Sequence, residues 1–190
     1  MDSELQTVVM QDLVARHQAG DGAALNTLIW RTQDRLERLA RKMLGTFPVV
    51  KAHEETGDVC QNAVMRLSRA LEAVTPGSVR DYYRLATEQI RRELLDLARR
   101  YRRRPTEALE SDGAACALAE SKDLEKWAAL QQAVERLPAE EREVFGLTFY
   151  HGWTQVQIAG LLHTSDRRVR KLWANACGRL AREIGDPPGL

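Results

Sequence analysis

Apolar and polar positions alternate along this chain with a helical beat. From Glu4 to Ala19, Leu5, Val8, Val9, Leu13 and Val14 recur at helical spacing, and Gly20 ends the run. Asp21 or Gly22 opens a second segment, whose stripe Leu25, Leu28, Ile29, Leu36, Leu39, Ala40 and Met43 reaches Gly45. Thr46 to Gly57 contains Pro48 and reads as a loop. Asp58 to Val74 follows, with Val59, Ala63, Leu67 and Leu71 each one turn apart. Thr75-Pro76-Gly77 breaks the pattern, and Ser78 is placed to cap a long helix reaching about Tyr101. On it Tyr83, Ala86, Ile90, Leu94, Leu97 and Tyr101 face one way. Pro105 stops regular structure, and Thr106 to Ala119 is small, polar and acidic. Helix resumes near Lys122 and runs to Leu137, and Pro138 starts another that ends near His151-Gly152. Strand-like alternation and internal repeats are absent. The pattern predicts an all-α chain of two small helical domains, 1–101 and 122–185, joined by a flexible acidic linker at 102–121.

The last stretch is the most telling. Thr154 is placed to cap a short helix with Val156, Ile158, Ala159, Leu161 and Leu162 on its apolar side, and Ser165 to cap the next. On that next helix Val169, Leu172, Trp173, Ala176 and Leu180 share one stripe, which leaves Arg167, Arg168, Arg170 and Lys171 outward on its first turns. Two short helices joined by a tight turn are a helix-turn-helix, which lays the start of its second helix in the DNA major groove. Trp30 and Trp127 fall on apolar faces and are expected in the core.

Charge sharpens this. The net charge of +1 hides blocks of opposite sign. Nine arginines lie between Arg80 and Arg104 against four acids, whereas six acids face two lysines from Pro105 to Lys126. Two basic surfaces separated by an acidic connector are the pattern of a chain that meets nucleic acid twice, and a tether raises the effective concentration of the second contact.

Other classes find little support. The N-terminal residues carry Asp2, Glu4 and Asp12, with no basic start and no apolar core of a leader, and no apolar run is long enough to span a bilayer. The expectation is a cytoplasmic chain without a membrane partner. Cys60, Cys116 and Cys177 form no C-x-x-C pair and read as reduced thiols. His17, His53, His151 and His163 are scattered without metal-ligand spacing, and phosphate-loop, zincin and nucleophile-elbow motifs are missing. No catalytic constellation, cofactor or metal is expected.

Four segments, in order, resemble one family. Leu137-Pro138 followed by Glu140-Glu141-Arg142 resembles an L-P-x-x-x-R motif, and Gly152-x-Thr154-x-x-x-Ile158-Ala159-x-x-Leu162 resembles G-x-[ST]-x-x-E-I-A-x-x-L. Asp58-Val59-Cys60-Gln61-Asn62-Ala63 is similar to D-x-x-Q-[ED]-[AT], and Gln89 to Arg100 is similar to a promoter-melting helix. Together they resemble the extracytoplasmic-function (ECF) sigma factors of bacterial RNA polymerase. The chain departs from that pattern at Gln157, where Glu is usual, and at His163, where the turn usually has Gly. Leu172 and Cys177 replace basic residues, and Asn62 replaces an acid.

The resemblance implies an initiation factor without catalysis of its own, which gives core RNA polymerase its promoter. Asp58, Gln61 and Asn62 would meet the β′ clamp, and the C-terminal domain the β flap. Arg167 and Arg168 are the base-reading candidates at the −35 duplex, because a guanidinium fork matches guanine O6 and N7. Lys171 shares their face, and Arg170, Thr154, Gln155 and Ser165 complete the −35 set near two helix N-termini. At the −10 element, unpaired bases stack on aromatic rings and arginines follow the backbone. Tyr82 is the stacking candidate, since Tyr83 falls on the apolar stripe; Gln89, Arg91, Arg92, Arg99 and Arg100 accompany it. The resemblance also suggests an anti-sigma protein as a partner. A stand-alone helix-turn-helix regulator is the main rival reading, and a sequestering interaction protein a third. Whether the domains pack together in the free chain is left open.

Overall fold

The computed structural model describes residues 2–44, 56–103 and 125–185. Among them are eight helices and no strand, so the chain is all-α. The N-terminal group is α1 (Asp2–Gln18), α2 (Gly22–Leu44), α3 (Thr56–Ala73) and α4 (Val79–Arg103). The C-terminal group is α5 (125–136), α6 (Ala139–Phe149), α7 (Gln155–Leu161) and α8 (Asp166–Ile184). The linker expected at 102–121 lies outside the described residues from 104 onward; 102 and 103 are the end of α4.

Local chemistry sets the helix ends. Gly20 turns the chain at a φ of 88°, and Asp21 then caps α2, its Oδ1 accepting from the N–H groups of Ala23 and Ala24 at 2.8 and 3.2 Å. Ser78 caps α4 as expected, with Oγ accepting from the Asp81 N–H at 3.1 Å.

The two groups lie against each other, with α4 packed between α3 and α1 on one side and α6 on the other. Both apolar clusters draw on both groups. In one, Cys60, Ala63, Ile90 and Leu94 meet Trp127, Leu130 and Phe145. In the other, Leu28, Tyr82 and Ala86 join Leu147, Trp153 and Ile158. This sandwiching buries more of α4 than a single stripe: Tyr82, Gln89, Arg91 and Glu93 are inside as well as Tyr83, Ile90 and Leu94. Three expectations fail for the opposite reason. Trp30 is 67% exposed on α2, and Val8 on α1 and Val156 on α7 are each 59% exposed, because no described helix covers those positions.

Candidate nucleic-acid interface

The helix-turn-helix is held by bonds that span three residues. Thr154, in extended backbone, accepts from the Gln157 N–H at 3.3 Å, and Gln157 Oε1 accepts from the Thr154 N–H at 2.8 Å. This is a capping box in which an amide oxygen replaces the usual carboxylate. The turn passes through His163 at a φ of 50°, the single non-glycine residue at positive φ among the described residues. The Thr164 N–H closes it on the Ala159 carbonyl at 3.0 Å. Ser165 then caps α8, its Oγ accepting from the Arg168 N–H at 3.3 Å.

The inner face of α8 is anchored on α6. Val169, Ala176 and Leu180 are buried, Leu172 and Trp173 half-buried, and Trp173 stacks on Phe145 at 5.6 Å. Arg179 Nε lies 2.9 Å from Glu141 Oε2. With that face fixed, Arg167, Arg168, Arg170 and Lys171 stand exposed beside the exposed Thr154 and Ser165, and Gln155 is half-buried. The −35 candidates therefore all lie on the helix-turn-helix, and all but Gln155 are exposed. Arg168 is not idle: its Nη2 donates to both carboxylate oxygens of Glu140 at 2.9 Å.

The long helix α4 carries the other candidates, and here the sequence expectation needs correction. Tyr82 is fully buried, its hydroxyl donating to the Leu28 carbonyl at 2.8 Å and lying 2.7 Å from Thr32 Oγ1. A ring enclosed this way offers no face to a base. Burial pushes its phenol well above the ordinary tyrosine range. Gln89 is also buried. Arg91 is 4% exposed, with Nη1 donating to the Gln131 carbonyl at 2.9 Å and lying 3.3 Å from Glu135 Oε2, while Nε and Nη2 bond Glu88. Burial works against the Arg91 charge, but the Glu88 bonds and the charges of Glu88 and Glu135 outweigh it and raise the pKa. For Glu88 burial acts upward, yet the bonds and charges of Arg91 and Arg92 leave its pKa lowered. Arg92 and Arg99 are exposed; the Arg100 side chain lies outside the described residues.

On α3, Gln61 is exposed and Asn62 half-buried, so both are open on the polar side, whereas the side chain of Asp58 lies outside the described residues. Met65, one turn beyond Gln61, is 44% exposed and was missed, since its type argues for the core. Arg80 was also passed over. Its guanidinium grips both oxygens of Glu143 at 2.5 and 2.6 Å, a pairing between residues too far apart in sequence for any spacing rule to find. Among the described residues no group of three or more His, Cys, Asp or Glu is gathered to hold a metal, and no helix is long and apolar enough to cross a membrane.

Comparison with known proteins agrees with this geometry. The ECF sigma factor profile matches residues 8–186. The ECF RNA polymerase sigma factor SigM, from two strains of Mycobacterium tuberculosis, is 30% identical over 183 residues, which cover 92% of this chain and 84% of the relative. A match from α1 to the end of α8, on a chain whose C-terminal helices form a capped helix-turn-helix, shows that it belongs to the ECF sigma factor family and serves in transcription initiation.

Proposed function

We propose that the chain binds core RNA polymerase and directs it to promoters by reading a −35 duplex with α8 and holding the melted −10 strand along α4. The observation that carries this reading is the open cationic surface of Arg167, Arg168, Arg170 and Lys171 at the capped start of α8. Arg167 and Arg168 read base edges there, and Arg170, Lys171, Thr154, Gln155 and Ser165 position the duplex through its phosphates. Arg92, Arg99 and Arg100 follow the separated strand, with no part for Tyr82. Asp58, Gln61 and Asn62 engage the β′ clamp, Met65 adds an apolar contact beside them, and the C-terminal domain meets the β flap. An anti-sigma protein is a further partner on this reading.

The test is co-elution of the purified chain with core polymerase from its own organism on a sizing column, with Asp58→Arg as control. Co-elution that is lost in the variant supports the reading. Failure of the wild-type chain to co-elute overturns it in favour of a stand-alone regulator, for which Arg168 matters and Asp58 does not.

A further inference from the structure

Arg168 is the outward cation of α8 that a carboxylate holds. Glu140, in the first turn of α6, places both its oxygens 2.9 Å from Arg168 Nη2. Among the described residues Arg167, Arg170 and Lys171 meet no carboxylate. Both partners of the pair stand on backbone that the core fixes. Glu141, next to Glu140, is buried and lies 2.9 Å from Arg179 Nε, and Trp173 stacks on Phe145 one turn further along α6. The Arg168 N–H is held by the Ser165 cap, and Val169 beside it is fully buried. Forming the pair therefore orders two side chains and no backbone.

The atom that Glu140 holds is the decisive one. A guanidinium presents parallel N–H groups in two ways, Nε with Nη2 and Nη1 with Nη2, and both use Nη2. While Glu140 keeps that atom, Arg168 offers single donors and no fork. Arg168 is the third residue of α8, in the part of a recognition helix that meets base edges. There guanine shows two acceptors, O6 and N7, whereas adenine N7 and thymine O4 stand as one acceptor each. Guanine replaces both bonds to the carboxylate, and the other bases replace at most one. We propose that Glu140 is a specificity-determining positioning residue for −35 reading, which keeps Arg168 off every base edge that does not take its whole fork. Glu140 acts through Arg168 and needs no contact with DNA of its own. This deepens the proposed −35 role and rests on it.

Substitution in the protein and in the duplex together tests it. Short duplexes are selected from a random pool by the full chain, alone and with core polymerase. Each is then compared with versions in which one guanine becomes adenine. For Glu140→Gln the expected result is a fall of about two- to fivefold in the guanine-to-adenine binding ratio at one position, since an exposed ion pair is a weak competitor. The fall comes from tighter binding of the adenine duplex. Glu140→Asp, which retains the carboxylate, keeps the ratio closer to wild type. In an Arg168→Ala chain, Glu140→Gln leaves the ratio where it was. Asp166→Asn removes the same charge from an exposed site on the first turn of α8 and is expected to raise binding of both duplexes alike. A ratio unmoved by Glu140→Gln at every guanine overturns the inference. So does an equal fall in the Arg168→Ala chain, or one matched by Asp166→Asn. Each of these leaves the −35 reading standing, whereas a chain that selects no duplex, alone or with polymerase, removes reading and inference together.

Discussion

Tyr82→Phe separates a structural tyrosine from a strand-holding one. The Tyr82 hydroxyl is enclosed, donating to the Leu28 carbonyl at 2.8 Å with Thr32 Oγ1 at 2.7 Å. Thr32 Oγ1 also reaches the Leu28 carbonyl at 3.1 Å, so that carbonyl keeps a donor when the phenol oxygen is removed. The net loss is then about one buried hydrogen bond and a small void, roughly 1–2 kcal/mol. Tyr82→Ala is a different perturbation, because it removes a whole ring from the α2–α4 contact at a cost of about 3–5 kcal/mol. Against a total stability of about 5–15 kcal/mol, that unfolds an appreciable fraction of a marginal chain. Urea unfolding followed by far-ultraviolet circular dichroism gives the stabilities. Permanganate reactivity of promoter thymines at equal folded concentration gives strand opening. The expected outcome is a graded stability loss, Phe less than Ala, with opening tracking the folded fraction alone. A Tyr82→Phe chain as stable as wild type but unable to open a promoter would refute the core assignment.

Three other perturbations follow from the same geometry. His163→Gly relieves a left-handed residue that costs an L side chain roughly 1–2 kcal/mol; the freer unfolded chain takes back about 0.4–1 kcal/mol, so a melting curve should show a modest rise in Tm, and His163→Val a fall. Glu88 has its folded pKa below the unfolded value, so its contribution is present above about pH 4.3 and is lost as pH falls through the folded value. Urea unfolding across that acid range should therefore show a shallower decline for Glu88→Gln than for wild type. Arg168→Ala should lower discrimination between selected and scrambled duplexes by about 1–3 kcal/mol if the fork reads a guanine; an unchanged binding ratio would remove Arg168 from base reading.

What the sequence made legible was what depends on near neighbours. The caps at Asp21, Ser78, Thr154 and Ser165 each use bonds that reach two or three residues ahead, so side-chain type and position are enough to place them. The turn at His163 was marked instead by the resemblance, whose pattern usually has Gly there, and the backbone at that position is left-handed. Burial is another matter, because it depends on whether a second element arrives. Periodicity gives α4 one apolar stripe containing Tyr83, and so leaves Tyr82 outside. With helices packed on two sides, adjacent tyrosines are both buried. Trp30 errs the other way, since an apolar side chain at core spacing says nothing about whether a partner covers it. The pairs Arg80–Glu143, Arg91–Glu135 and Arg168–Glu140 join residues dozens of positions apart, and charge counting saw only the excess of arginine, never its partners.

Those pairs are not equal in what they hold. Exposed ion pairs alone hold little, about 0–1 kcal/mol each. Arg168–Glu140, with both partners largely exposed, is of this kind. Arg91 is enclosed, and around it Ile90 and Leu94 pack in one cluster with Trp127 and Leu130 from the other half. Parting the halves would expose that apolar surface, at roughly 25 cal/mol per Å² uncovered.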